Sequence, residues 1–366
     1  MTTAIRFPGR YVQGAGALAE AGACLALLGR RPLICWGRRS REAAHAALSA
    51  SLDKAGIAWS EELFGGECTK AEAQRLAAAA QAVGADAVAG VGGGKVIDAA
   101  KAAAALAGLR TIAIPTIASS DAPTSACTVW YNDAGASVGV DFWKTGPDLV
   151  LVDTGVIARA PARFLAAGIG DALATWPEAD AAARAGAAAC AGGAPTRAAR
   201  ALARLCYYTL LAHALDARAA VAAGRVTPAV EAVVEAGVLL SGVGWESGGL
   251  AGAHAVANAL PALPETRDRL HGEKVAFGLV VQLCLEPDRD AAERQRIVDL
   301  LVALNLPVTF AELGLADLPE ARLRSFARRV AIAGSSVHNH PFKVTADSVA
   351  AALLAADALG RSRKTA

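Results

Sequence analysis

The chain has 366 residues, 54% of them hydrophobic and 19% charged, too apolar for a disordered or coiled-coil protein and too long for one ordinary core, so two domains are expected. Thirty-six Lys and Arg against 34 Asp and Glu leave a net charge of +2, and with no basic run along any face this argues against a nucleic-acid partner. The apolar fraction is mostly alanine; no stretch reaches the ~18 consecutive strongly apolar residues of a membrane span, and the first residues carry no signal-peptide pattern, so no membrane partner is expected.

The first part of the chain alternates short β-branched runs with Ala-rich helical stretches, the pattern of a parallel α/β sheet. Residues 31–36 read as a strand, 41–55 as a helix, 57–63 as a strand, and 70–83 as a helix capped by Thr69. Residues 86–91 are the next strand, 95–106 a helix, 111–114 a strand stopped by Pro115, and 149–152 the last strand. Beyond about Pro161 the periodicity is helical almost throughout, broken by Gly or Pro at helix-length intervals. The expected architecture is a Rossmann-like α/β domain over residues 1–160 and an all-α domain over 161–366, with the cleft between them as the default site.

Cys24, Cys35, Cys68, Cys127, Cys190, Cys206 and Cys284 are odd in number, scattered and free of any Cys-x-x-Cys. Such thiols suit small buried hydrophobes in a reducing compartment, so the expected location is cytoplasmic.

Two glycine turns compete for a dinucleotide. Gly14-Ala15-Gly16 fits the G-x-G-x-x-A form as far as Ala19, but the turn-like Phe7-Pro8-Gly9-Arg10 stands where its strand should be, which favours a plain turn. Gly92-Gly93-Gly94 follows a clear strand and opens a helix at Lys95, where free N–H groups and the positive end of the dipole face an anion. Ala89 and Val96 exclude a Walker A loop, so a dinucleotide suits it better than a hydrolysed triphosphate. The polar loop from Pro115 to Ser125 sits at the carboxyl end of the next strand, where open α/β sheets bind ligands, and Asp121 could hold a substrate hydroxyl, with an ordinary loop as the competing reading.

The helical part carries Asp171 after Gly168-Ile169-Gly170, His254 within Gly252-Ala253-His254, and His271 before Gly272-Glu273. One Asp and two His would make a three-ligand set with an open position, suited to Zn²⁺ with Fe²⁺ as an alternative; isolated buried histidines are the competing reading, and His338-Asn339-His340 is a rival cluster.

Taken in order, the segments 91–95, 115–125, 166–176, 241–244 and 271–278 resemble the glycerol dehydrogenase branch of the iron-containing (group III) alcohol dehydrogenases, from about Pro8 to Gly360. The resemblance implies an α/β nucleotide domain, a helical second domain, and a homo-oligomer, from a dimer up to rings of eight. It implies hydride transfer between a nicotinamide cofactor and a small alcohol or its carbonyl compound, and makes Asp171, His254 and His271 the zinc ligands. Gly94, Lys95, Thr116, Ser119, Ser125 and Tyr131 fall at cofactor positions, Cys127 where a Leu is usual, and Asp121 at the substrate position; Gly93 and Asp98 complete the cofactor set.

Two departures from the family pattern stand out. Where an Asp normally accepts from the adenosine ribose, this chain has Gly37, followed by Arg38 and Arg39. Two guanidiniums in place of a carboxylate suit a 2′-phosphate, which favours NADP(H), with NAD(H) as the alternative. At the substrate end, Ala257 replaces a usual His, and Arg267, Arg269 and Lys343 are new charges that suit either a bulkier or anionic hydroxy compound or a solvated rim. The rival chemistry of this fold, the lyase or cyclase reaction of dehydroquinate synthases, fits the 117–123 loop less well.

Overall fold

The computed structural model describes residues 2–364. Its strands in chain order are β1 (Thr3–Ala4), β2 (Tyr11–Gly14), β3 (Pro32–Trp36), β4 (Ser60–Leu63), β5 (Ala87–Gly92), β6 (Arg110–Pro115), β7 (Cys127–Tyr131), β8 (Ser137–Phe142), β9 (Leu149–Asp153) and β10 (Ala194–Pro195). Two compact units result. One comprises Arg6–Leu165 together with Ala219–Gly242; the other comprises residues 2–5, Ala166–Arg218 and residues 243–364, with β1 paired to β10.

The α/β unit is built on a six-stranded sheet in the order β2-β9-β6-β5-β3-β4, with every neighbouring pair parallel. Alternate residues feed opposite cores, as a sheet covered on both faces requires. Ile34, Trp36, Ala89 and Val91 pack with Leu48 and Leu52 of the helix Arg38–Lys54. Leu33, Cys35 and Val88 instead meet the alanines of the helix Gly94–Ala107. From β3 the chain steps outward to β4, then returns to lay β5 on the other side of β3 and continues toward β6 and β9. The order therefore reverses between β3 and β5, and at such a switch point open α/β sheets bind ligands at the carboxyl ends of the strands.

Ala219–Gly242 joins this unit because side chains tie it there: the Gln13 amide donates to Glu231, Thr154 Oγ1 donates to Glu231, and Thr124 Oγ1 donates to the Val238 carbonyl. Helical periodicity alone gave no sign of that return. β7 and β8 form an antiparallel hairpin that the sequence patterning also missed, with β8 exposed along its length.

Two further differences concern short or mixed segments. The strand thought absent before Gly14 exists as β2, paired with β9 from Tyr11 to Gly14. The turn after it is nevertheless engaged internally, since the Gly16 and Leu18 N–H groups donate to the Asp153 carboxylate at 3.0 and 3.1 Å. The run Pro228–Gly248 is long and apolar enough by length and composition to cross a membrane, although it carries three Glu, and 67% of its most apolar 18-residue window is buried, as in a core helix.

In the helical unit, glycines set how closely helices approach. A Cβ on Gly272 would lie 1.8 Å from the Ala167 carbonyl oxygen, one on Gly170 2.7 Å from the Gly272 carbonyl oxygen, and one on Gly278 2.2 Å from that of Ala253. The helix His271–Leu285 thus touches, backbone to backbone, both Ala162–Ala185 and Gly252–Ala259, which carry the other two candidate ligands.

Candidate active site

These contacts bring Asp171, His254 and His271 together, with one ligand atom from each within 4.8 Å of the others. No other group of three or more His, Cys, Asp or Glu side chains with this spacing occurs among the described residues. Both Nε2 atoms face Asp171 Oδ1, at 3.4 Å from His254 and 3.5 Å from His271. Those separations are long for hydrogen bonds, whereas ligand atoms each about 2.0–2.1 Å from a tetrahedral ion stand about 3.4 Å apart. The donor set therefore fits a divalent metal in spacing and chemistry. Asp171 and His254 are buried, while the His271 side chain is 45% exposed and leaves one side open.

Glu178, seven residues and so two turns along the same helix face as Asp171, braces the set. Fully buried, it accepts from the Ala251 and His254 N–H groups at 2.9 Å and lies 2.5 Å from His254 Nδ1. A carboxylate can only accept here, so Nδ1 carries a proton, which leaves Nε2 as the nitrogen that would give its lone pair to a bound metal. Burial by itself would push the His254 imidazole down, but Glu178, with Asp171, overrides it and holds the group well above its ordinary value. His271 lies below its ordinary value, through desolvation of the ring and then the nearby His254 and Lys274 charges, against the pull of Asp171.

The rival histidines serve other partners. Asn339 Nδ2 donates to the Leu250 carbonyl, and Ser336 Oγ to that of Ala251. His340 Nδ1 contacts the Val337 carbonyl, with Nε2 3.5 Å from Glu286. His338 lies 3.2 Å from the Ala331 carbonyl. The segment buttresses the start of the His254 helix.

In the α/β unit, Gly37 and Gly93 precede adjacent helix N-termini at the switch point, and the Gly37 N–H and Ser40 Oγ both donate to the Val91 carbonyl. Arg38 and Arg39 are exposed in the first helical turn, which holds no acidic residue. Arg41, nearby, is paired with Glu61 at 2.7 Å, whereas no ion pair engages Arg38 or Arg39 among the described residues. Gly94 and Lys95 open the second helix; the Lys95 ammonium meets Glu67 at 2.6 Å and sits 4.5 Å from the centre of the Tyr131 ring. Thr116, Ser125 and Cys127 are buried, with Ser125 Oγ 3.4 Å from Cys127 Sγ, and Ser119 is half-buried.

Asp98 is engaged elsewhere. Its buried carboxylate pairs with Lys101 at 2.7 Å and accepts from the Val129 N–H, and burial pushes its carboxyl up despite that cation. Lys101, 3% exposed, donates in turn to the Ala122 and Ser125 carbonyls, so the pair holds up the 116–125 loop from below. Asp121, in that loop, accepts from Ser241 Oγ at 2.6 Å. Ala257 is buried in the His254 helix, Arg267 and Lys343 are exposed, and Arg269 is partly so. Glu178 and Lys101 were not foreseen; a carboxylate two turns beyond a ligand, and a charge inside an otherwise apolar helix, were the available signals.

A candidate metal-donor set in the helical unit and a nucleotide-type sheet with its switch point at glycine turns suit the class of dehydrogenases that use both a metal and a nicotinamide. The iron-containing alcohol dehydrogenase profile matches residues 8–154. A glycerol dehydrogenase from Pseudomonas putida is 48% identical over 361 residues, covering 99% of each chain, and a glycolaldehyde reductase from Halobacterium salinarum is 44% identical with the same coverage. The crystal structure of a probable glycerol dehydrogenase from Sinorhizobium meliloti 1021 superposes with a TM-score of 0.92 at 39% identity, over 99% of this chain and 100% of that one. The chain belongs to the iron-containing alcohol dehydrogenase family, within its glycerol dehydrogenase branch. It is accordingly an alcohol or polyol dehydrogenase acting on CH–OH groups, and its family binds a metal and a nicotinamide cofactor.

Proposed function

We propose that this enzyme is a zinc-dependent, NADP(H)-preferring dehydrogenase that interconverts a small polyol or hydroxy alcohol and its carbonyl form, as a cytoplasmic homo-oligomer. The convergence of Asp171, His254 and His271 at ligand spacing carries this reading. A three-ligand N/O set with one open side suits zinc, and the same donors accept Fe²⁺. The relatives named for glycerol and glycolaldehyde support a substrate of two or three carbons. Seven cysteines outside any disulfide support a reducing setting.

When bound, the metal supplies Lewis acidity toward the alcohol oxygen and the nicotinamide accepts the hydride. The chain's own residues set the geometry. Glu178 fixes the His254 tautomer, Asp121 takes a hydrogen bond from a substrate hydroxyl, and the exposed side of His271 gives water access for the departing proton. Gly93, Gly94 and Lys95 receive the pyrophosphate end, with Thr116, Ser119, Ser125, Cys127 and Tyr131 along the cofactor, while Asp98 acts through Lys101 on the loop.

Cofactor choice follows from Gly37, Arg38 and Arg39. No carboxylate stands in that first turn to repel a 2′-phosphate, and its two exposed guanidiniums make no ion pair among the described residues. The test is kcat/KM for NADPH against NADH with dihydroxyacetone, glycolaldehyde and a small keto acid. A preference of at least about tenfold, or about 1.4 kcal/mol, is expected for NADPH, and Arg38→Ala/Arg39→Ala should abolish it. A preference for NADH would overturn the assignment and leave an NAD-dependent glycerol dehydrogenase. Good turnover of the keto acid would assign Arg267, Arg269 or Lys343 to an anionic substrate.

A further inference from the structure

The run Pro228–Gly248 departs from α geometry at one place. Over Ala236–Leu240 the backbone widens into a π turn, and the Ser241 N–H reaches back five residues to the Ala236 carbonyl. A π turn amounts to one inserted residue and is found frequently at functional sites. Here three residues in and just after the turn meet the 121–124 corner of the polar loop. The Val238 carbonyl accepts from Thr124 Oγ1 at 2.6 Å, Ser241 Oγ donates to Asp121 Oδ2 at 2.6 Å, and a Cβ on Gly242 would lie 2.8 Å from Thr124 Cβ and 3.2 Å from the Asp121 carbonyl oxygen. The loop corner is itself closed by the Thr124 N–H donating to the Asp121 carbonyl at 3.1 Å.

Val238 and Ser241 are three residues apart and Gly242 follows at once, so one stretch of helix grips both ends of the corner. Ser241 is fully buried on a helix, whereas Asp121 is half-buried on a loop, so the serine is the fixed partner. A carboxylate on a loop has a broad, two-fold freedom about χ2 that one strong, charge-assisted hydrogen bond removes.

We infer that Ser241 is a positioning residue for the dehydrogenase reaction, holding the Asp121 carboxylate in the orientation that receives a substrate hydroxyl. This rests on the assignment of Asp121 to the substrate. The experiment compares Ser241→Ala, Ser241→Cys, Asp121→Asn and the Ser241→Ala/Asp121→Asn pair in the metal-loaded enzyme. It reads kcat/KM for dihydroxyacetone, cofactor Kd by quenching of tryptophan fluorescence, and Tm. Ser241→Ala should lose about tenfold in kcat/KM, mostly through KM, with cofactor Kd changed less than twofold. Ser241→Cys, a weaker donor of similar size, should lose less. In the Asp121→Asn background, Ser241→Ala should cost nothing more. Full additivity, an equal loss of cofactor affinity, or no loss at all would overturn the role of Ser241. An Asp121→Asn enzyme with unchanged kcat/KM would instead remove the substrate assignment of Asp121, and the inference with it.

Discussion

Glu178→Gln changes one atom type in the shell around the proposed metal and leaves size and burial alone. In the native arrangement Glu178 Oε1 serves two backbone N–H groups of the His254 helix and Oε2 faces His254 Nδ1. An amide cannot do both. With its oxygen left on the backbone, the NH₂ group donates to Nδ1, and the imidazole proton moves to Nε2, the atom that faces Asp171 Oδ1. With the amide turned over, the NH₂ group meets the Ala251 and His254 N–H donors and the helix start loses its acceptor. The first outcome is the milder and removes a lone pair from the ligand set. Such changes to groups behind metal ligands typically cost about 10- to 100-fold in affinity, or about 1.4–2.7 kcal/mol. The measurement is zinc Kd by competition with a chelating dye, alongside the Tm of the metal-free protein. Glu178→Gln should weaken zinc by that factor with a small change in metal-free Tm, and Glu178→Ala should lower both. Zinc bound equally well by Glu178→Gln and wild type would refute the tautomer argument.

Two further substitutions probe the scaffold around the site. Lys101→Met leaves the buried Asp98 carboxylate without its cation, a change that costs about 3–5 kcal/mol in comparable pairs; urea unfolding should show it, and Lys101→Met/Asp98→Asn should recover much of the loss. Gly272→Ala puts a Cβ 1.8 Å from the Ala167 carbonyl oxygen, so the His271 and Asp171 helices must part. A loss of about 1–3 kcal/mol in stability together with weakened zinc binding is expected, and unchanged zinc Kd would show that helix spacing does not set the ligand spacing.

Most of the α/β unit was legible because its strands are buried on both faces and its helices are regular, so runs such as Ala87–Gly92 stand out from their surroundings. The failures share a cause. β2 has four half-buried residues with Gln13 among them, and β8 is exposed throughout, so neither carries the apolar run that marks a central strand. The return of Ala219–Gly242 to the sheet unit is a matter of which surface a helix meets, and periodicity reports only that a helix has an apolar face. At the site, the residue types of the metal set were visible, but their convergence depends on three helices whose separation no local pattern encodes. Glu178 is one of 34 acidic residues and sits in a helix where a solvated carboxylate would read the same way. Lys101 had a better signal. The helix Gly94–Ala107 is apolar nearly all round, which means burial on every side, and Asp98 and Lys101 at i and i+3 are its only charges beyond Lys95.

The glycines connect what could be read with what could not. Gly170 and Gly272 each adjoin a proposed ligand in sequence and belong to the segments that carry the family resemblance, which suggests a metal motif as their reason. The structure gives a mechanical one. Each removes a Cβ that would strike a backbone carbonyl, at 2.7 and 1.8 Å respectively, and that contact fixes the distance between the helices bearing Asp171 and His271. Gly278 does the same between the His271 helix and the one bearing His254, where a Cβ would lie 2.2 Å from the Ala253 carbonyl oxygen. Three backbone-to-backbone contacts therefore set the positions of three ligands, and Glu178 sets the orientation of one. A site held by packing in this way keeps its ligand atoms converged through helix contacts that owe nothing to the metal, so the metal-free protein should present the same three donors that the loaded enzyme uses.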